Sequence, residues 1–205
     1  MQIRQAEMAD AGGMAHVYVR SGRAAFSGRM PQGDLDAMDP QAEHVRWHDW
    51  LAQAGWPESG ALVAENEDGI VGFVVLDRAP ESSHREGEPS GSVAEIGKLY
   101  SVPEVWGTGT GKRLMTSALE ALTEAGYRQA TLWVLQSNDR ARRFYEAFGW
   151  GPDGVASDDG DREGYTLTRL RYRRVLGEPA TGATAGAAAE TAYEGAAAPL
   201  AAVAS

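Results

Sequence analysis

One stretch of this chain leaves little freedom in what it can build. A β-rich run, Val93 to Val102, leads through Pro103 into three glycines at alternate positions, Gly107, Gly109 and Gly111. A long amphipathic helix follows at once, Gly111 to Ala125, with Leu114, Met115, Ala118, Leu119 and Leu122 on one apolar face. Gly126 is its stop. Glycines at that spacing let the backbone approach a ligand closely and turn its N–H groups inward. The helix start adds unpaired N–H donors and roughly half a positive charge. Lys112 and Arg113 add cationic side chains in the first turn. A strand, a glycine loop and a helix in this order make an anion site, most naturally for a phosphate or pyrophosphate.

Around this unit the chain reads as strands and helices in mixed order. Ile3–Ala6 is a short strand. Asp10–Arg23 is a helix with Asp10 as its N-cap, and Gln41–Gln53 is a second helix. Ala61–Glu65 and Ile70–Leu76 are strands joined by the hairpin loop Asn66–Gly69. Pro80–Gly91 is a polar loop. Ala130–Leu135 is a buried strand, Asp139–Phe148 a helix capped by Ser137 or Asn138 and ended by Gly149, and Gly164–Val175 a final strand. Asp153–Glu163 reads as an acidic loop, with one further strand around Trp150–Ala156. A hairpin meander followed by β-α-β-α-β implies an α/β (α+β) fold, a mixed sheet with helices packed on it. Residues 1–176 form this one domain. Residues 177–205 are mostly Ala, Gly, Thr and Glu, too poor in apolar surface to offset their ordering entropy, and are expected to be a disordered tail.

Composition narrows the chemistry. The 205 residues carry a net charge of −10, which argues against a nucleic-acid partner. Cysteine is absent, which excludes disulfides, thiolate metal sites and a cysteine nucleophile. No apolar run is long enough to span a membrane, and residues 1–10 lack the apolar core of a signal peptide, so a cytoplasmic location is expected. The phosphate loop is not the ATP/GTP type, because Trp106 and Arg113 stand where Gly and Ser/Thr are needed. It is not the dinucleotide type either, because Lys112 stands where the third glycine belongs.

The run Leu99-Tyr100-x-x-Pro103-x-x-x-Gly107-x-Gly109-x-Gly111 resembles the acetyl-CoA-binding motif of the GNAT superfamily of N-acetyltransferases. A second run agrees with that family's downstream motif: Leu132 to Asn138, then Ala141, Phe144-Tyr145 and Gly149-Trp150. Ile3-Arg4-x-Ala6 with Asp10-Ala11 is similar to the family's usual start. The departures are Trp106, where Arg or Gln is common, and Ser101, where a β-branched apolar residue is common.

The resemblance implies a mostly antiparallel central sheet flanked by helices, and an acetyl-CoA-dependent N-acetyltransferase. It implies that the strand ending near Ser101 splays from Ala130–Leu135. Pantetheine then lies in the gap against backbone groups of Leu99, Tyr100 and Ser101, and the pyrophosphate sits on the amides of Gly107, Thr108, Gly109, Thr110, Gly111 and Lys112. Asn138 is expected to touch the pantetheine arm, with a plain helix cap as the alternative and both roles compatible. Tyr145 is the candidate general acid for the departing thiolate. Without a cysteine, direct attack by an amine in a ternary complex is the simplest route. Homodimers are common in the family.

Glu95 is the candidate base, acting through water, because a carboxylate in an apolar strand leading to the ligand site must be paired or used. Simple alternation sets Glu95, Gly97 and Leu99 on one face and Ile96, Lys98 and Tyr100 on the other, so an ion pair between Glu95 and Lys98 is not expected. The acceptor is expected to be an amine-bearing small molecule or peptide, with Phe26, Met30, Trp133 and Tyr165 on its side. The acidic run Asp158, Asp159, Asp161 and Glu163 reads first as a solvated loop and second as an attractor of a cationic amine, which the overall charge also suggests. His44 and His48 share a helix face at metal-ligand spacing, but no further ligand is signposted, so no metal is expected. The rival from another class is a non-catalytic acyl-CoA-binding regulatory module with the same fold.

Overall fold

Apolar runs bounded by turn residues become strands here, and periodic runs become helices. The computed structural model describes residues 1–28, 30–162 and 165–177, without the side chains of 159–166. In chain order the elements are β1 (Gln2–Gln5), α1 (Ala11–Phe26), α2 (Gln32–Asp36), α3 (Pro40–Gln53), β2 (Gly60–Asn66), β3 (Gly69–Arg78), β4 (Val93–Ser101), α4 (Thr110–Glu124), β5 (Gln129–Leu135), α5 (Asp139–Ala147), β6 (Gly151–Arg162) and β7 (Tyr165–Val175). The strands form one sheet in the order β1-β2-β3-β4-β5-β7-β6. Neighbours are antiparallel except β4 and β5, which run parallel. From residue 178 onward the expected tail lies outside the described residues.

Both faces of the sheet are covered. On one face Phe73 of β3 and Tyr100 of β4 meet Trp47 of α3 and Tyr18 of α1, with ring centroids 5.0–6.2 Å apart and mostly edge to face. On the other face α4 lies against β3, so closely that a Cβ on Gly72 would come within 3.1 Å of Leu114 Cδ1 and 3.0 Å of the Tyr100 carbonyl oxygen. α4 ends as its sequence predicts. Gly126 takes φ +89°, its N–H donates to Thr123 O, and Tyr127 N–H donates to Leu122 O at 3.1 Å. α5 covers the same face further along, where Tyr172 Oη donates to Glu146 at 2.8 Å and accepts from Arg142 Nε at 3.2 Å.

Three expectations need correction. Asp10 does not cap α1 with its side chain. Its carboxylate instead accepts from Glu7 N–H at 2.8 Å and pairs with Arg4 at 2.6 Å, tying β1 to the helix start and holding its pKa below the usual carboxylate range. Residues Asp153 to Arg162, read as a loop, belong to β6. The strand is held by a buried charge pair, because Asp153 accepts from Arg171 Nε at 2.8 Å and Arg173 Nε at 3.4 Å. A strand rich in Asp and Gly has no apolar signature, so its pairing comes from its partner β7. The third correction concerns β4. Val75 pairs with Lys98 and Leu76 with Ile96, so Gly97 is an extra residue, a β-bulge. The bulge cancels the simple alternation. Glu95, Lys98 and Tyr100 share the α1/α3 face, and Ile96, Leu99 and Ser101 share the α4 face.

The close approach at Gly72 gives a direct test of the packing. Gly72→Val is expected to destabilise the protein by about 1–3 kcal/mol, because Leu114 and the β4 backbone cannot both retreat. Urea unfolding followed by far-UV circular dichroism measures it, and an unchanged midpoint contradicts the packing described.

Candidate active site

The site is laid out by the point where β4 and β5 part. Their parallel register covers only Val93–Ile96 against Gln129–Leu132. Both strands continue, β4 to Ser101 and β5 to Leu135, without further pairing between them. Val102 N–H donates to Val71 O at 2.9 Å, so alternation turns the N–H and C=O groups of Leu99 and Ser101 away from β3, toward the gap. The gap therefore presents a strand edge, of the kind an extended ligand can pair with.

Trp106 alters that edge. Its indole N–H donates to the Ser101 carbonyl at 2.9 Å, so this acceptor already has a partner, and Leu99 together with the Ser101 N–H makes up the rest of the edge. Arg140, in the first turn of α5, stacks on the Trp106 ring at 4.4 Å. The two residues bridge the ends of the gap, and the sequence reading assigned no role to Arg140. Ser101 is fully buried and its hydroxyl has no hydrogen-bond partner among the described residues.

At the end of β4 the glycine loop has the shape its composition predicts. Gly107 takes φ +78° and Gly109 φ +91°, and a Cβ on either would meet nothing within 4 Å. Gly109 is the N-cap of α4. Arg113 N–H makes the first bond of the helix, to Gly109 O at 3.0 Å, so the N–H groups of Thr110, Gly111 and Lys112 precede the bonded ladder. Thr108 Oγ1 donates to Val105 O at 2.7 Å and lies 3.0 Å from Thr110 Oγ1, which stiffens the loop. Lys112 is exposed beside it. Open backbone space, first-turn N–H groups and a cation together fit a phosphate-bearing ligand.

Glu95 lies on the α1/α3 face, half-buried. Its cross-strand partner in β3 is Asp77, and Lys98 joins them on the same face because of the Gly97 bulge. Burial first, and the Asp77 carboxylate second, push the Glu95 pKa up to about 7, against the pull of Lys98, Arg169 and Arg171. Asp77 is raised by burial to about 6, although Ser59 Oγ donates to it at 2.8 Å. Burial lowers Lys98, whose ammonium sits 5.7 Å from the Trp47 ring centre. Lys98 thus shares a face with Glu95 and Asp77, contrary to the alternation argument.

Tyr145 sits on α5 with Ala141 and Trp150 as buried neighbours, and none of its surface is exposed. Its phenol oxygen has no hydrogen-bond partner among the described residues. Burial alone raises its pKa, so the phenol stays protonated and can donate. It lies within electrostatic reach of Tyr100, whose own side chain belongs to the aromatic core. Asn138 caps α5, with Oδ1 accepting from Ala141 N–H at 3.1 Å, so its amide N–H groups take no part in the cap.

Of the suggested acceptor residues, Phe26 is a core side chain, 1% exposed, and Met30 packs against that core. Trp133 does lie on the Glu95 face, where Arg169 and Arg171 stack at 5.5 and 6.0 Å. The side chains of Tyr165, Asp159, Asp161 and Glu163 lie outside the described residues. His44 and His48 are exposed on α3, and no cluster of three metal-ligating side chains occurs among the described residues. Asp77 and the β7 arginines went unrecognised. Their signals were a charged residue ending the apolar run Val71–Leu76 and arginine at every second position from 169 to 173.

Comparison with known proteins agrees with this geometry. The acetyltransferase (GNAT) family model matches residues 29–150. An uncharacterized N-acetyltransferase of Archaeoglobus fulgidus is 34% identical over 145 residues, covering 71% of this chain and 89% of its own length. A mycothiol acetyltransferase of Acidimicrobium ferrooxidans is 31% identical over 131 residues, covering 63% of this chain and 37% of its own. Among solved structures, the PaiA N-acetyltransferase of Thermoplasma acidophilum in complex with coenzyme A superposes with a TM-score of 0.66 at 17% identity, covering 85% of this chain and 98% of that one. The chain belongs to the GNAT family of acetyltransferases.

The left-handed backbone at Gly109 is the most exposed link in the loop. Gly109→Ala is expected to cost about 1–2 kcal/mol of stability, because an L side chain disfavours that region. A thermal or urea midpoint equal to that of the unaltered protein rules out the loop geometry given above.

Proposed function

We propose that the protein transfers the acetyl group of acetyl-CoA to a primary amine of a small molecule or peptide, by direct attack in a ternary complex. The observation that carries this is the early end of the β4–β5 pairing. It leaves a strand edge leading into an α4 N-terminus, with a carboxylate of raised pKa on one side and, on the other, a buried phenol without a partner among the described residues. The coenzyme A held by the Thermoplasma acidophilum relative supports the same ligand here. The glycine loop and Lys112 would take its pyrophosphate, and the edges of Leu99 and Ser101 its pantetheine arm. The amide N–H groups of Asn138, which take no part in its cap, would add a donor to that arm.

The chemistry then divides between two side chains. Glu95, ionised, accepts a proton from the ammonium through water, leaving a neutral nitrogen. That nitrogen bonds to the thioester carbonyl carbon, the C–S bond breaks, and the surplus proton on nitrogen passes to water, as does the proton Glu95 took up. The Tyr145 phenol gives its proton to the leaving sulfur, so coenzyme A departs as the thiol, and the phenol is re-protonated from solvent. A thiol-release assay with acetyl-CoA and a panel of amines tests the proposal. Release that depends on an amine supports it. Binding of acetyl-CoA without release for any amine supports the regulatory-module alternative instead.

Two variants test the roles. Tyr145→Phe is expected to lower kcat about 10²-fold or more while leaving the affinity for acetyl-CoA near its original value. Unchanged turnover removes Tyr145 from the mechanism. Because Glu95 must be ionised to act, kcat/KM is expected to rise with pH through about 7 and level off above it. Glu95→Gln is expected to lose this limb, and a profile with the same limb in that variant assigns the limb to another group.

A further inference from the structure

Asp77 takes no part in the chemistry above, yet its position is the more telling of the two carboxylates. It stands directly opposite Glu95 in the antiparallel ladder, where facing side chains are about 4.5–5.5 Å apart at Cβ. Two acidic residues directly opposite one another repel and are ordinarily avoided. Here the arrangement is built rather than tolerated. Ser59 Oγ, in the turn before β2, donates to Asp77 Oδ1 at 2.8 Å. The other oxygen, Oδ2, lies over Gly97, 3.4 Å from where a Cβ would stand. The bulge residue is therefore the one that gives the Asp77 carboxylate its seat, and the same bulge brings Lys98 to this face.

We propose that Asp77 is a positioning residue that acts through Glu95, the two carboxylates holding one proton between them across the β3–β4 ladder while Ser59 fixes the Asp77 end. The inference rests on the reading of Glu95 as the base, which it deepens. Lys98, Arg169 and Arg171 work against the basicity that burial gives Glu95. A second carboxylate opposite it restores basicity, because like charges resist ionising together. The charged and titratable groups around the pair are Lys98 on β4, Arg169 and Arg171 on β7, Glu43 on α3, acting on Lys98, and Tyr127 after α4, on which Asp77 acts. Burial raises both pKa values, and the Asp77 carboxylate adds to the rise at Glu95, in the direction the geometry requires. The protons leave in two steps that belong to the pair rather than to either residue.

The test is a carboxyl carbon NMR titration of the full chain labelled with 13C at glutamate and aspartate, with Glu95→Gln used to assign the signal. Asp77→Asn keeps the shape and removes the charge, and is expected to lower the Glu95 midpoint on the order of one pH unit. Ser59→Ala removes the hydrogen bond that favours the Asp77 anion. Asp77 then keeps the shared proton longer and the upper step of the pair moves up, opposite in sign to the first variant. A Glu95 midpoint near the ordinary glutamate value in the unaltered protein overturns the proposal. So does a midpoint that stays put in folded Asp77→Asn, or, if that variant does not fold, a Ser59→Ala titration identical to the original. The pH limb of kcat/KM, read in the same variants, separates the two layers. If the NMR midpoint falls in Asp77→Asn and the kinetic limb does not follow, the coupled pair stands and the assignment of Glu95 as the base falls.

Discussion

Val93–Ile96 and Gln129–Leu132 form the one parallel pairing among the described strands, and its short length has energetic consequences. Beyond it, two strands run on with unpaired edges. A buried backbone group left without a partner costs about 1–3 kcal/mol, so such edges persist only where something satisfies them. Trp106 satisfies one, at the Ser101 carbonyl, from the chain itself. The others face the gap. The same parting decides where α4 begins, because the chain leaves β4 at Ser101, crosses the open side through Pro103, and must turn back within a few residues to bury the face carrying Leu114, Met115, Ala118 and Leu122. The positive φ values at Gly107 and Gly109 make that reversal, and the helix start is thereby aimed at the mouth of the gap.

The Gly97 bulge does the corresponding work on the other side of β4. Upstream of it, Val93–Ile96 keeps register with β5. Downstream, Leu99 and Ser101 lie under α4 and Tyr100 joins the cluster of Tyr18, Trp47 and Phe73. One extra residue therefore lets a single strand serve two registers. It also gathers Asp77, Glu95 and Lys98 into a half-buried group that would otherwise be split between the faces of the sheet. The β7 arginines balance this group from the far side of β5. Arg171 and Arg173 are held by Asp153, and Arg173 also by Glu88 at 3.2 Å. Trp133 separates the two sets and stacks with the nearer guanidiniums.

The features legible in the sequence were those with a local physical cause. α4 announces itself by a periodic apolar face and ends on Gly126. The hairpin β2–β3 turns on Asn66 and Gly69, and α5 starts on the Asn138 cap. Each of these needs only the residues themselves. The glycine loop was legible for the same reason, since alternate glycines before a helix have few other uses. What escaped is what long-range pairing decides. β6 reads as a loop because Asp and Gly carry no strand signal, and only β7 makes it a strand. Gly97 was visible as a glycine within a strand, a common mark of a bulge. Its effect on the faces nevertheless depends on which residue of β3 it skips. Asp77 was invisible as a partner of Glu95 because eighteen residues separate them and only the β3–β4 register brings them together.

Charge shows the same division between local and global. A net charge of −10 suggested a cationic acceptor. Part of that charge belongs to Glu178, Glu190 and Glu194, and much of the rest is spent in pairs such as Arg4 with Asp10 and Glu65, or Arg78 with Glu58. Around Glu95 the balance runs the other way, with Lys98, Arg169 and Arg171 against Asp77 and Glu95 itself. Beyond a Debye length of about 8 Å, the fields of distant surface charges are largely screened, whereas half-buried groups a few ångströms apart are screened far less. The field on this face is therefore set by these groups rather than by the net charge.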